Sequence, residues 1–241
     1  MIAGAGHVSR AFVWYCYLMT HNETFLLIRS SRRTLALEIK PDASLIVRAP
    51  RWTPLDQVHR FIEKHAGWIA GKQTAALTRP RLQPKLFVDG EEFWLLGQSC
   101  SLLVVEKLPK GVDFDGRLLL ASGALPRARE VIIKWYKAKA REVFTERVAE
   151  YAKTMDCRPS IIRITSPRRR WGSCGTSGGL NFNWKLVMAP LEVIDYLVVH
   201  ELAHLKHHGH DRKFWELVKY FCPDYSRHQR WLKDNGYRLE I

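Results

Sequence analysis

The chain has 241 residues, 46% hydrophobic and 26% charged, a length and composition that exclude a disordered or low-complexity protein and allow a substantial core in one large domain or two small ones. Thirty-eight basic against twenty-four acidic residues leave a formal charge of +14, which favours polyanions or acidic substrates and makes nucleic acid a partner to consider. The five cysteines, at 16, 100, 157, 174 and 222, are odd in number and include no C-x-x-C pair, the usage of a reducing compartment and not of a disulfide scaffold.

Residues 1–22 read as a poorly ordered leader. Its apolar run, residues 11–19, is too short to span a membrane and is followed by no convincing cleavage site. No membrane span is expected, and the cytoplasm is the expected compartment. From Phe25 the pattern turns β-like, with residues 34–39 and 44–48 flanking the turn-like Lys40-Pro41-Asp42-Ala43. Residues 54–77 read as one amphipathic helix with Leu55, Val58, Ile62, Trp68 and Ile69 among its apolar positions. Further strands are expected at 85–88, 92–96, 101–105 and 118–121, with a turn at Asp89-Gly90. A long helix is expected from about 126 to 155, closed by Pro159. Strands follow at 161–165 and 180–186, then a helix opening at Pro190-Leu191 and stopped by Gly209, and two more helices near 212–221 and 226–235. No internal repeat is evident. The chain is thus expected to divide into the leader 1–22, a β-rich region with one helix at 23–124, and a mixed helix-and-strand domain at 125–241.

The chemistry concentrates in His200-Glu201-Leu202-Ala203-His204 and in His210 six residues on. Successive helical residues advance about 100°, so His200 and His204 project from one face, one turn apart, and can share a metal ion. Glu201 stands to one side, where it can act on a water at the metal. Three ligands along one straight helix cannot meet a single tetrahedral ion. That disfavours His207 and His208 and points past Gly209 to His210, with Glu216 of the following helix as the competing ligand. The His200-to-His210 spacing equals that of the metzincin motif, but His207 stands where that motif has glycine. With three ligands, zinc keeps an open position, and Glu201 would serve as general base toward a scissile carbonyl. A second electrophile is often required; Arg170, Tyr196, Tyr225 and His228 are the candidates.

Around the histidine motif stand Arg170-Trp171-Gly172-Ser173-Cys174, Leu180-Asn181-Phe182-Asn183-Trp184-Lys185-Leu186 and the run from Asp195 to Leu205. His210, Phe214-Trp215, Pro223-Asp224-Tyr225 and Trp231-Leu232 complete the series. On these residues, from 170 to 231, the chain resembles the YgjP-like (DUF45) metallopeptidase family, a group of metal-dependent hydrolases related to the SprT and WLM zincins. Arg32-Arg33-Thr34 and Asp89-Gly90 extend it toward residues 29–238. The resemblance implies an α+β fold: a zincin-like catalytic domain whose HExxH helix lies beside a small antiparallel sheet, preceded by a β-rich region. It implies one zinc ion held by His200, His204 and His210, with Glu201 as catalytic base. Strand 180–186, with Asn183 at a candidate substrate position, would be the sheet edge bordering the cleft, where an extended peptide could pair.

Cys174 could be read as a nucleophile, but it lacks an identified base; a turn supporting the cleft is the simpler reading. Residues 168–170, three consecutive arginines, could hold a phosphate or a substrate carboxylate, or form a solvated loop. The leading expectation is a zinc peptidase acting on peptide or protein. The alternatives are a hydrolase of nucleotide phosphoanhydrides and a nucleic-acid-associated zinc protein.

Overall fold

The computed structural model describes residues 14–19, 24–78 and 83–241, which fall into two compact units, Met1–Leu82 and Gln83–Ile241. In the first unit, β1 (Trp14–Met19), β2 (Thr24–Ser30), β3 (Ala36–Ile39) and β4 (Leu45–Pro50) form a sheet of order β1-β2-β4-β3. The leader expectation is therefore corrected over 14–19, where an aromatic and aliphatic run suited to a strand pairs antiparallel with β2. Residues 1–13 and 20–22 of that leader lie outside the described residues. β3 and β4 form the expected hairpin, with Ala43 in the left-handed region (φ 65°) at its turn.

The single helix expected over 54–77 is two, α1 (Leu55–Lys64) and α2 (Ala66–Thr78). His65 breaks it: its φ of −111° is non-helical, and its Nδ1 lies 2.7 Å from the Phe61 carbonyl oxygen. Val58, Ile62 and Ile69 join Phe25, Leu27, Leu45, Val47 and Ala49 in the core of this unit. Leu55 and Trp68 stay half-exposed.

The second unit opens with a sheet of order β5-β6-β8-β7, built from β5 (Glu92–Leu95), β6 (Gln98–Val105), β7 (Val112–Phe114) and β8 (Leu118–Ala121). Residues 85–88 are not a strand. The Glu91 carboxylate accepts the Leu86 and Phe87 amides at 3.1 and 2.5 Å, and Phe87 is left-handed at φ 58°. This sheet repeats the strand order of the first unit's, down to a parallel central pair (β2–β4, β6–β8) between antiparallel outer pairs. The sequence shows no repeat at this level, because strand order is not written in residue identity.

The boundary expected at 124/125 moves to 82/83, because the β5–β8 sheet shares one core with everything after it. Its β5–β6 turn uses two left-handed residues, Leu96 (φ 49°) and Gly97 (φ 79°), the geometry of a tight hairpin. The Leu96 and Gly97 amides donate to the Val187 and Met188 carbonyls at 2.8 and 3.2 Å. A Cβ on Gly97 would lie 2.8 Å from Pro190 Cα, so only glycine lets the turn seat against the entry to the histidine helix.

A 3-10 turn (Ser122–Arg127) leads into α3 (Ala128–Thr154). Ala128, Ile132, Tyr136, Ala140, Phe144 and Val148 are all buried along α3, a four-residue spacing that sets each beside the last in a stripe winding slowly around the helix. Phe144 stacks on Phe182 at 4.4 Å, and the Tyr136 hydroxyl donates to the Trp94 carbonyl at 2.8 Å. Three strands follow: β9 (Ile161–Thr165), β10 (Gly172–Cys174) and β11 (Gly179–Asn183). A 3-10 turn (Trp184–Met188) then precedes α4 (Leu191–Ala203), α5 (Arg212–Phe221), α6 (Tyr225–Asn235) and a last 3-10 turn (Gly236–Arg238). The molecule is a mixed α/β protein of six helices and small sheets among the described residues. None of those helices is long and apolar enough to cross a membrane.

Candidate metal centre

α4 is buried on nearly every side, with Val193, Ile194, Leu197, Val198, Val199, Leu202 and Ala203 in the core. Such a helix keeps little solvated surface beyond its first turn, and a bidentate ion pair ties it to α3. Arg147 of α3 donates from Nε and an NH2 group to the two Asp195 carboxylate oxygens at 2.6 and 2.8 Å. The helix ends at Ala203, before the stop expected at Gly209. His204 occupies its C-cap, and the Leu205 amide turns back to the Leu202 carbonyl at 3.0 Å. Gly209 has no positive φ; backbone turns at 204–206, not a glycine, redirect the chain.

That early ending brings His210 back over the helix. The His200, His204 and His210 ring nitrogens form the one cluster of metal-ligating type among the described residues, with one atom from each inside a mutual 4.8 Å. His200 Nε2 and His210 Nε2 stand 3.2 Å apart. Two nitrogens bound at about 2.0–2.1 Å to one tetrahedral ion would sit about 3.3 Å apart. His204 Nδ1 lies 3.1 Å from the His207 carbonyl oxygen, so Nδ1–H can donate there and leave Nε2 free to bind. The donor set is thus three neutral-capable imidazoles in metal-binding proximity, and it fits a borderline-soft divalent ion. His207 and His208 are not in the cluster, and Glu216 is paired with Arg212 at 2.7 Å.

Aromatic rings set the histidines. Fully buried Phe214 lies 4.6–5.0 Å from all three rings, and Trp215 stacks on His210 at 5.7 Å. Burial, then the positive neighbours His204 and His210, push His200 down to about 3 from its ordinary 6.5. The His204 imidazole is also lowered, first by burial. Neutral imidazole is the form that binds a metal.

Glu201 is 3% exposed, and its Oε2 is buried without a protein partner. Burial pushes its carboxyl up to about 8 from 4.5, partly offset by the Arg170 charge. In the metal-free protein the native state therefore holds a proton that the unfolded chain loses between pH 4.5 and 8, and stability falls with rising pH across that window. Burial of neutral His200 acts oppositely, adding stability as pH rises from about 3 to 6.5. Comparison with Glu201→Gln isolates the first effect. In chemical denaturation of the metal-free proteins, the variant should match its parent near pH 4 and exceed it by up to about 3–5 kcal/mol by pH 8.

Against Glu201 lies β10. The three-stranded sheet has the order β10-β11-β9, antiparallel between β10 and β11 and parallel between β11 and β9. Two expectations are corrected here: the sheet is mixed, not antiparallel, and strand 179–183 is its centre, not its edge. β11 is buried on both faces, with a burial pattern of buried residues around one half-buried position, as a central strand requires. Residues 184–186 belong to the 3-10 turn. One of its two edges is β10, whose Gly172 lies against the Glu201 carboxyl: a Cβ there would lie 2.3 Å from Glu201 Oε1. Gly172→Ala should keep the protein folded but displace Glu201, lowering any Glu201-dependent turnover at least tenfold with metal content unchanged.

The remaining candidates separate cleanly. Tyr196 lines a pocket of about 340 Å³ with Trp171, Gly172, His200 and Glu201, and burial pushes its hydroxyl up to about 12. His228 stacks on Tyr196 at 6.4 Å, and Tyr225 on Trp215 at 5.1 Å. Asn183 is buried, and its amide is spent on the Pro167, Arg170 and Lys185 backbones; it positions the 167–171 loop. Cys174 has its thiol pushed up by burial and by the Glu201 charge, the wrong direction for a nucleophile. Sequence reading singled out the stretches holding Gly172, Asp195 and Phe214 but missed what they touch, Glu201, Arg147 and the three histidine rings, because most of these partners lie far away in the sequence.

Residues 33–235 match the family described as YgjP-like, metallopeptidase domain. No curated protein matches. Among solved structures, the chain is similar to the metallopeptidase zymogen of Pyrococcus abyssi abylysin, at 18% identity over 37% of this chain and 92% of that one, with a TM-score of 0.35.

Proposed function

Since the chain belongs to the YgjP-like metallopeptidase family, we propose that it is a zinc-dependent peptidase of zincin-like α+β fold, with His200, His204 and His210 as ligands and Glu201 as base. The observation that carries this reading is the meeting of three imidazoles, within 4.8 Å of one another, beside a buried carboxylate whose Oε2 has no protein partner. When bound, zinc supplies a Lewis acid that polarises a carbonyl and acidifies water. Glu201 does the proton work: Oε2 accepts a proton from the attacking water and passes it to the departing amine. Gly172 holds the other oxygen, Oε1, in place by close contact. Tyr196, buried and protonated within the same pocket, is the donor closest in kind to an oxyanion partner.

The edge strand favours an extended substrate. Trp171 O accepts the Asn183 amide, and the Gly175 amide donates to Gly179 O, each at 2.8 Å. By strand alternation, the Gly172 and Cys174 main-chain groups point away from β11. A peptide pairing with them would lie alongside Glu201. The test is whether zinc-loaded protein generates new peptide ends from an unstructured substrate and stops when the metal is chelated. Persistent cleavage in chelator, or none with zinc, would refute the assignment.

A further inference from the structure

A second pocket adjoins the metal cleft and has a strong sign of charge. It encloses about 260 Å³ and is lined by Arg168, Arg169, Arg170 and Lys185 together with Trp171 and Leu232. Trp171 and Leu232 also line the pocket that holds His200 and Glu201, so the two are neighbouring compartments. Arg170 lies close enough to Glu201 for its charge to act on that carboxyl. Asn183 holds the arginine loop from beneath, donating to the Pro167 carbonyl at 3.0 Å and the Arg170 carbonyl at 3.4 Å. Among the described residues lining this pocket Glu240 is the one acid, and Lys185 already pairs with it. Neither Arg168 nor Arg170 is taken up by a salt bridge among the described residues. A backbone-anchored loop thus places the Arg168 guanidinium, with no salt bridge among the described residues, in a pocket beside the Glu201 cleft, and guanidinium forks suit a planar carboxylate.

We infer that the pocket formed by the 168–170 loop and Lys185 is a specificity subsite for a substrate carboxylate, so that the enzyme selects peptides with an acidic group near the scissile bond. This rests on the peptidase reading. A volume of about 260 Å³ accommodates one side chain. The carboxylate can come from an Asp or Glu side chain or from the peptide's own C-terminus.

Binding tests it without requiring turnover. Zinc-loaded Glu201→Gln is titrated with an acetylated, amidated peptide rich in Asp and Glu, with its Asn and Gln counterpart, and with that counterpart carrying a free C-terminus. A carboxylate-bearing peptide should bind at least tenfold tighter than the neutral one, the gap should narrow as salt rises, and adding Arg168→Glu should erase most of it. Preference for the acidic side chains or for the free terminus identifies the source. Equal affinity for all three peptides, or a gap that survives Arg168→Glu, overturns the subsite. Displacement by a single-stranded oligonucleotide at concentrations below the peptide's own dissociation constant also overturns it, in favour of a phosphate site. Selective binding of a peptide that the zinc-loaded parent never cuts would uphold the subsite and remove the peptidase reading.

Discussion

His210→Ala should lose the metal. The variant is expected to bind zinc at least on the order of 100-fold more weakly than its parent, because even outer-shell partners of a ligand are worth 10–100-fold. Glu216→Ala and His208→Ala should keep one zinc per chain. The expectation follows from the 3.2 Å between His200 Nε2 and His210 Nε2 and from the absence of the other two residues from the cluster. His210 is exposed, sitting on a loop over the buried rings, so its truncation leaves no core cavity. Thermal unfolding of the metal-free variant should match that of the metal-free parent. Full zinc content in His210→Ala would move the third ligand elsewhere.

Glu201→Gln should separate binding from chemistry. The amide has the carboxylate's shape, so the contact with Gly172 survives and zinc is retained. Yet it cannot accept a proton. General-base catalysis is worth about 10²–10⁴ in rate, so turnover should fall by about that factor with little change in substrate affinity. Metal analysis and kinetics on the same preparation check both halves. A variant that keeps its activity would make Glu201 a structural acid.

The placing of His200 and His204 on one helix face was legible because helical periodicity is local, and the approach of the His210 ring to that pair agrees with the search for a third group beyond the helix. The helix boundary was not legible: Gly209 looked like the stop, whereas the backbone turns from His204 and His204 itself becomes the cap. Long-range pairing was less legible still. Nothing in the Leu180-Asn181-Phe182-Asn183 run says whether it lies at an edge or a centre, and only its flanking by β9 and β10 decides. The repeated strand order of the two four-stranded sheets is hidden for the same reason. The helix expected over 54–77 failed at His65, where one side chain competes for a helix carbonyl.

Digestion of a defined peptide library tests the central claim most directly. Zinc-loaded parent, chelated parent and zinc-loaded Glu201→Gln are incubated side by side, with nucleoside triphosphates as a parallel substrate, and products are read by mass spectrometry. New peptide ends should arise with zinc-loaded parent alone, and the triphosphates should stay intact. Triphosphate hydrolysis with an uncut library, or equal peptide cleavage in all three samples, would contradict a peptidase built on Glu201 and the three histidines.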